Sequence, residues 1–415
     1  MPRPLDLRLG IDVGGTNTDA VVLDRDDRLL AKAKVPTTRD VTSGVVEALD
    51  RVLAATDEQR ARMTHVMFGT THATNAVLER QHLQRVAVVR IGGPATRSIP
   101  PLFAWPADLR EIVSAGEIVV DGGSEFDGQE IAAFDRDAVS RFLGSVAGVV
   151  DGVAFTSVFA SVSAEHELLA AEIARSELGA EIEISLSHEI GSVGLLEREN
   201  ATVLNAALTA VVRDVAGALE AALASRRLDA QVFFTQNDGT LMALEHATRY
   251  PVLTIGSGPA NSIRGAAYLT GAEHGIVVDV GGTSTDVGVL VNGFPRESSL
   301  PVEIGGIETN FRMPDIVSVA LGGGSIVRAH NGSVAVGPGS VGYELSTRGL
   351  VFGGDTPTLT DAAVAAGRAD LGDRAAAARN RLLRPALEIA DELLAEAVDR
   401  VKVSRTEQPL IVVGG

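Results

Sequence analysis

Two aspartates, each followed by a glycine pair and a run of hydroxyl-bearing residues, are the part of this sequence best suited to chemistry. Residues 10–24 read GIDVGGTNTDAVVLD and residues 277–291 read VVDVGGTSTDVGVLV. Asp12, Gly14, Gly15, Thr16, Thr18 and Asp19 recur in register as Asp279, Gly281, Gly282, Thr283, Thr285 and Asp286, with Asn17 and Ser284 at the intervening polar position. Glycines let a backbone approach a phosphate closely, successive N–H groups and threonine hydroxyls donate to its oxygens, and a strand-end carboxylate can hold Mg2+ through water. Gly14, Gly15, Thr16, Asn17 and Thr18, with Gly281, Gly282, Thr283, Ser284 and Thr285, are therefore candidate phosphate-binding residues. Asp12 and Asp279 are the candidate catalytic and metal-holding carboxylates. Two such turns facing each other can hold the two ends of one triphosphate. Asp19 and Asp286 close the turns, where an aspartate serves either a site or a local cap.

Other chemistries lack their spacing. No Lys follows the glycines and no helix starts there, unlike a Walker loop, and the pattern is not the G-x-G-x-x-G of dinucleotide folds. The eight histidines show no H-E-x-x-H spacing, and no G-x-S-x-G elbow with a matching His and Asp order appears. With no cysteine, disulfides, iron–sulfur ligation and thiol nucleophiles are excluded. A formal charge of −18 opposes the long-range attraction used by general nucleic-acid or anionic-membrane binders. The N-terminus carries no apolar signal-peptide core and no stretch is long enough to span a bilayer, so the expectation is a soluble cytoplasmic protein.

The elements around these residues follow from apolar periodicity. Each motif copy is apolar run, tight turn, apolar run, which predicts a β-hairpin. A length of 415 residues suits two domains with the function between them. Strands are predicted at 64–68, 86–91, 151–156, 182–186, 231–235, 241–244 and 275–291, and helices at 42–55 and 163–178. From Leu195 apolar residues recur at Leu204, Leu208, Val211, Val215 and Leu219, the pattern of one long helix. The domain boundary is placed just before it, giving units 1–192 and 193–415, with residues 92–130, rich in Pro and Gly, read as an insertion or substrate-facing loop. A glycine turn at Gly322-Gly323-Gly324 and a helical region at about 374–403, broken near Pro385, complete the second unit. Pro409–Gly415 reads as an apolar strand running into two glycines, which normally lead into another element, so the sequence is expected to stop inside a motif.

Beyond the hairpins, GTTHATNAVLER at 69–80, SHEI at 187–190 with ERENATVLNA after it, IGSGPA at 255–260, DVGGTSTDV at 279–287, DIVSVALGGGSI at 315–326 and PTLTDA at 357–362 occur in the order of one family. The chain resembles the hydantoinase A and 5-oxoprolinase superfamily, which also holds caprolactamase and acetone and acetophenone carboxylase subunits. The resemblance implies an α/β fold of two related actin, Hsp70 and sugar-kinase-type domains with mixed sheets around an interdomain nucleotide cleft. It implies ATP and Mg2+ as cofactors, and a γ-phosphoryl group used to activate the carbonyl oxygen of a cyclic amide or related substrate. A second, hydantoinase B-type subunit and an oligomeric assembly are the expected partners. Gly322, Gly323 and Gly324, with Gly414 and Gly415, are the further candidate nucleotide contacts, the last two as the turn beside the adenosine. Asp315 is a candidate for orienting the acceptor, and His72 for contacting substrate, each against a structural role. The stretches GGPATRSIPP after Ile91 and GPGSVGYELSTRGLVFGGD depart from the family pattern, in regions expected to face substrate or partner. A partner-directed chaperone-like ATPase and a small-molecule kinase are the alternative readings.

Overall fold

The computed structural model describes residues 7–14, 17–36, 41–56, 62–191, 193–330, 333–378, 380–402 and 404–414. The first motif copy forms the hairpin of β1 (Leu7–Val13) and β2 (Asn17–Asp24), and β3 (Leu29–Pro36) extends it. In β1 burial alternates residue by residue, putting Leu7, Leu9, Ile11 and Val13 in the core, as one face of a pleated strand requires. After helix α1 (Val41–Ala55), β4 (Met63–Thr70) joins β1 in parallel and leads into α2 (His72–Glu79).

A second sheet is wholly parallel. It contains β5 (Val86–Gly93), then α3 (Ala107–Val113), β6 (Ser114–Asp121), α4 (Arg136–Val146), β7 (Gly152–Ser157), α5 (Glu165–Leu178) and β8 (Glu183–Leu186), in strand order β6-β5-β7-β8. Residues 92–130, expected as a loop region, contain α3 and β6. The strand SAGEIVVD escapes a hydropathy reading because it lies on the sheet edge and only Val120 is buried.

The short α6 (Ser187–Ile190) precedes the long α7 (Leu195–Ser225), whose apolar stripe enters the largest core. The expected division between residues 192 and 193 falls just before α7, which lies against β5, β7 and β8 of the parallel sheet and shares its core with the first sheet. β9 (Gln231–Thr235) and β10 (Leu241–Ala243) then complete that sheet, which has the order β10-β9-β4-β1-β2-β3. Helix α8 (Leu244–Arg249) and helix α9 (Ser257–Thr270) follow.

The second motif copy forms the hairpin of β11 (Gly275–Val280) and β12 (Thr285–Val291). Next come β13 (Phe294–Pro295), the ribbon of β14 (Val302–Ile304) and β15 (Ile307–Thr309), and β16 (Ile316–Val319). β17 (Ser325–His330) and β18 (Ser333–Ser340) form another ribbon, followed by α10 (Leu345–Arg348), α11 (Leu359–Ala365), α12 (Arg374–Ala378), α13 (Leu383–Val401) and β19 (Leu410–Gly414). The break expected near Pro385 falls just before Leu383, so Pro385 stands in the first turn of α13, where its missing N–H has no intrahelical partner to lose.

The duplication is wider than the motif. In the first sheet β2 pairs antiparallel with β1 and β3, and β4 pairs parallel with β1. In the sheet of the second hairpin, β12 pairs antiparallel with β11 and β16, and β19 pairs parallel with β11. Both are mixed sheets of an α/β protein with the same four-strand order. Among the described residues no helix is long and apolar enough to cross a membrane.

Candidate functional site

The two hairpins are closed by the same backbone hydrogen bond. Gly14 N–H donates to the Asn17 carbonyl at 2.9 Å, and Gly281 N–H donates to the Ser284 carbonyl at 2.9 Å. Asp12 lies opposite Asp19, and Asp279 opposite Asp286, one residue pair before each turn. The amides of Gly282, Thr283 and Ser284 have no partner among the described residues, so this turn presents three consecutive N–H groups. Gly15, Thr16 and Gly415 lie outside the described residues.

One helix brings the two copies together. α9 rides on the sheet of the second hairpin, burying Ile263, Ala266 and Ala267 against Val277 and Leu290. Asn261 Nδ2 donates to Asp12 Oδ1 across the gap to the first sheet at 3.3 Å, and its neighbour Ser262 donates from Oγ to Asp279 Oδ2 at 2.5 Å. The start of the same helix is tied to the end of β4, where Ser257 Oγ donates to the Thr70 carbonyl at 3.1 Å and Thr74 Oγ1 donates to the Ile255 carbonyl at 2.5 Å. Gly69 in the GTT segment makes room for this arrangement. A Cβ there would stand 2.3 Å from both Asn261 Nδ2 and Asp12 Oδ1.

The electrostatics are those of a crowded acidic site. Burial raises the pKa of Asp12, the Asn261 hydrogen bond opposes the rise, and the charges of Asp19 and Asp279 add to it. Asp286 is raised by burial and by Asp279, against a hydrogen bond from Ser318. Asp19, half-buried, is raised by desolvation and lowered by Lys34, whose Nζ is 3.9 Å away. Carboxylates that repel one another in a partly desolvated place are a donor set suited to a cation. Among the described residues no group of three or more His, Cys, Asp or Glu side chains is gathered to hold a metal outright. Two carboxylates do suit Mg2+, which keeps several waters and takes its remaining oxygens from phosphate.

Several expected contacts have other partners. Thr18 and Thr285 are completely buried, and Thr285 Oγ1 donates to the Leu321 carbonyl at 2.6 Å, so its hydroxyl braces the turn from behind. The triple glycine also backs the turn. Gly323 N–H donates to the Gly281 carbonyl at 3.0 Å, Gly324 N–H to the Gly282 carbonyl at 2.7 Å, and Gly322 N–H to Ser325 Oγ at 2.9 Å. A Cβ on Gly322 would lie 2.6 Å from the Gly281 carbonyl oxygen, which explains the glycine there without a ligand. Gly414 pairs with Val280 at the end of β19, with φ of 103°, and a Cβ would stand 2.2 Å from the Val280 carbonyl oxygen.

Asp315 is not in the cluster. It pairs with Arg296, Nη2 to Oδ2 at 2.6 Å, three residues before Ser318, which lies opposite Asp286, hence about 10 Å along the strand. His72 at the start of α2 is partly buried, and this desolvation lowers its pKa to about 4, while its Nδ1 shares a hydrogen bond with Thr70 Oγ1. A neutral, packed imidazole results.

Asn261, Ser262 and Gly69 have no role in the sequence reading. The available signal was two polar residues directly after IGSGPA on a helix that otherwise shows apolar spacing.

Residues 198–404 match the family model described as hydantoinase/oxoprolinase, and residues 8–178 match that of the hydantoinase/oxoprolinase N-terminal region. The caprolactamase subunit alpha of Pseudomonas jessenii is 27% identical over 87% of this chain and 54% of its own length. The acetophenone carboxylase gamma subunit of Aromatoleum aromaticum is 26% identical over 86% and 53%, and the 5-oxoprolinase of Saccharomyces cerevisiae 26% over 88% and 32%. The crystal structure of ATP-dependent caprolactamase from Pseudomonas jessenii superposes with a TM-score of 0.75 at 24% identity, covering 98% of this chain and 65% of that one. Nucleotide-free acetone carboxylase gives 0.69 at 20%, covering 95% and 60%. At these identities the structures share the fold, and the chain spans between 32% and 65% of the length of these proteins.

Proposed function

Because the chain belongs to the hydantoinase/oxoprolinase family, we propose that it is the nucleotide-binding part of an ATP-dependent enzyme acting on a cyclic amide or a related carbonyl compound. The observation that carries this reading is that neighbouring residues of one helix, Asn261 and Ser262, hold the two duplicated aspartates, one from each hairpin. The amides of Gly282, Thr283 and Ser284 donate to phosphate oxygens, and the first hairpin takes the other end of the same triphosphate. Asp12 and Asp279 would hold Mg2+, which would supply positive charge to the phosphates. An amide carbon is a poor electrophile, and a phosphate placed on its oxygen makes that oxygen a good leaving group. The chain's own task is to hold and aim the γ-phosphoryl group. A second subunit completes the hydrolysis, in keeping with the relatives named as subunits.

The test is ATP hydrolysis by the full-length protein with 5-oxoproline, hydantoin and lactams. Stimulation by one of them, falling by on the order of a hundredfold in Asp12→Asn and in Asp279→Asn, supports the reading. Turnover unchanged in both variants removes these residues from the site. Stimulation only by a protein partner, or a stable phosphorylated product, replaces the reading with a chaperone-like ATPase or a kinase.

A further inference from the structure

The two hairpin sheets match strand for strand, but beside the aspartates their chemistry differs. In the first sheet Asp12 of β1 lies opposite Asp19 of β2, and Asp19 lies opposite Lys34 of β3. In the sheet of the second hairpin Asp279 lies opposite Asp286, and Asp286 lies opposite Ser318 of β16. Residues directly opposite one another on neighbouring strands share a face. Each sheet therefore carries one row of side chains a residue pair before its turn, Asp12-Asp19-Lys34 in the first and Asp279-Asp286-Ser318 in the other. Lys34 is the one cation in the two rows.

The row that bears Lys34 is turned away from the core. The next row along the same strands, Val13-Thr18-Val35, is buried on the opposite face. On the face with Lys34, Asn261 of α9 meets Asp12. Lys34 Nζ stands 3.9 Å from Asp19 Oδ2, beyond hydrogen-bond distance, and both side chains are about half exposed. An exposed pair at that separation adds little to stability. In the other copy the acid is already occupied, since Ser318 Oγ donates to Asp286. The Lys34 ammonium makes no hydrogen bond among the described residues, and it offers three rotatable donors to an anion.

We propose that Lys34 binds the terminal phosphoryl group of the nucleotide and so holds that group at the first hairpin. The proposal rests on the nucleotide reading above. A triphosphate brought to Asp12, Asp19, Asp279 and Asp286 meets like charge, which Mg2+ would offset in part. The terminal phosphoryl group carries the largest charge of the three, so it is held most strongly by the copy that has a cation in its row. Asp19 keeps the ammonium beside the row when no nucleotide is bound.

The experiment uses the full chain with Mg2+ and compares the non-hydrolysable ATP analogue AMPPNP with ADP by calorimetry. Lys34→Ala is expected to weaken AMPPNP by about tenfold to a hundredfold, the loss of a hydrogen bond to a charged group, and ADP by less than about twofold. Lys32 is the control for net charge, because it lies on the same strand and face but two residues, about 7 Å, further from the turn. Lys32→Ala is expected to leave both affinities unchanged. A second readout needs no variant. Of the 36 lysines and arginines in the chain only Lys32, Lys34 and Lys402 are lysines, so acetylation can be followed at each by mass spectrometry. AMPPNP is expected to slow acetylation at Lys34, ADP is not, and Lys32 and Lys402 serve as references. Equal loss of AMPPNP and ADP affinity in Lys34→Ala, no loss of either, or an equal effect of Lys32→Ala overturns the proposal. If the unmutated protein binds neither AMPPNP nor ADP, the nucleotide reading itself falls, and the role of Lys34 with it.

Discussion

Asp12 and Asp279, far apart in the chain, are held by adjacent residues of a single helix, Asn261 at 3.3 Å and Ser262 at 2.5 Å. Because α9 is packed against the sheet of the second hairpin and tied at its start to β4 of the first sheet, the separation of the two aspartates depends on where that helix lies.

Asn261 is expected to set the ionisation of Asp12. Its hydrogen bond works against the burial that raises the carboxyl pKa, so Asn261→Ala raises that pKa further. If turnover needs ionised Asp12, the acid limb of the ATPase pH profile moves to higher pH in the variant. An unmoved limb with lower turnover assigns Asn261 to positioning alone.

Gly69→Ala is expected to break the same contact from the other side, since a Cβ would displace the Asn261 and Asp12 side-chain atoms 2.3 Å away. Both are side-chain ends that can move, so folding survives while ATP turnover falls roughly tenfold or more. Thermal unfolding and turnover measured together check this, and wild-type turnover shows that the contact is dispensable.

His72, with a pKa lowered to about 4 by burial, makes stability depend on pH. Between about 4 and 6.5 the unfolded chain binds the proton and the folded chain does not, so stability falls as the pH drops through this window. His72→Gln is expected to flatten the denaturation free energy over that range. NMR titration of the ring gives the midpoint directly.

Arg90 and Glu199 form a buried bidentate pair, with Nε to Oε2 at 2.6 Å and Nη2 to Oε1 at 2.7 Å. Replacing one partner leaves a charge in the interior, so Glu199→Leu is expected to cost about 3–5 kcal/mol in urea unfolding. A loss under 1 kcal/mol would show that water reaches the stranded guanidinium.

Asp315→Asn is expected to leave ATP turnover unchanged, because its partner is Arg296 rather than the acidic cluster. The pair is partly exposed, so the stability loss is at most about 1 kcal/mol. A marked fall in turnover would return Asp315 to the site.

The sequence by itself determined the duplicated hairpins, because Asp, paired glycines and Thr between apolar runs dictate a turn from local conformational preference alone. It also determined the long α7, whose apolar spacing extends over many turns. Tertiary structure decided which of the polar residues meet. Thr285 and the triple glycine look like phosphate donors in one dimension, but packing turns the Thr285 hydroxyl to the Leu321 carbonyl, the Gly323 and Gly324 amides to the hairpin and the Gly322 amide to Ser325. Asn261 and Ser262 carry no pattern of their own, since their importance comes from α9 bridging two sheets. Local propensity is written residue by residue, whereas contacts between distant segments follow from how whole elements bury their apolar faces.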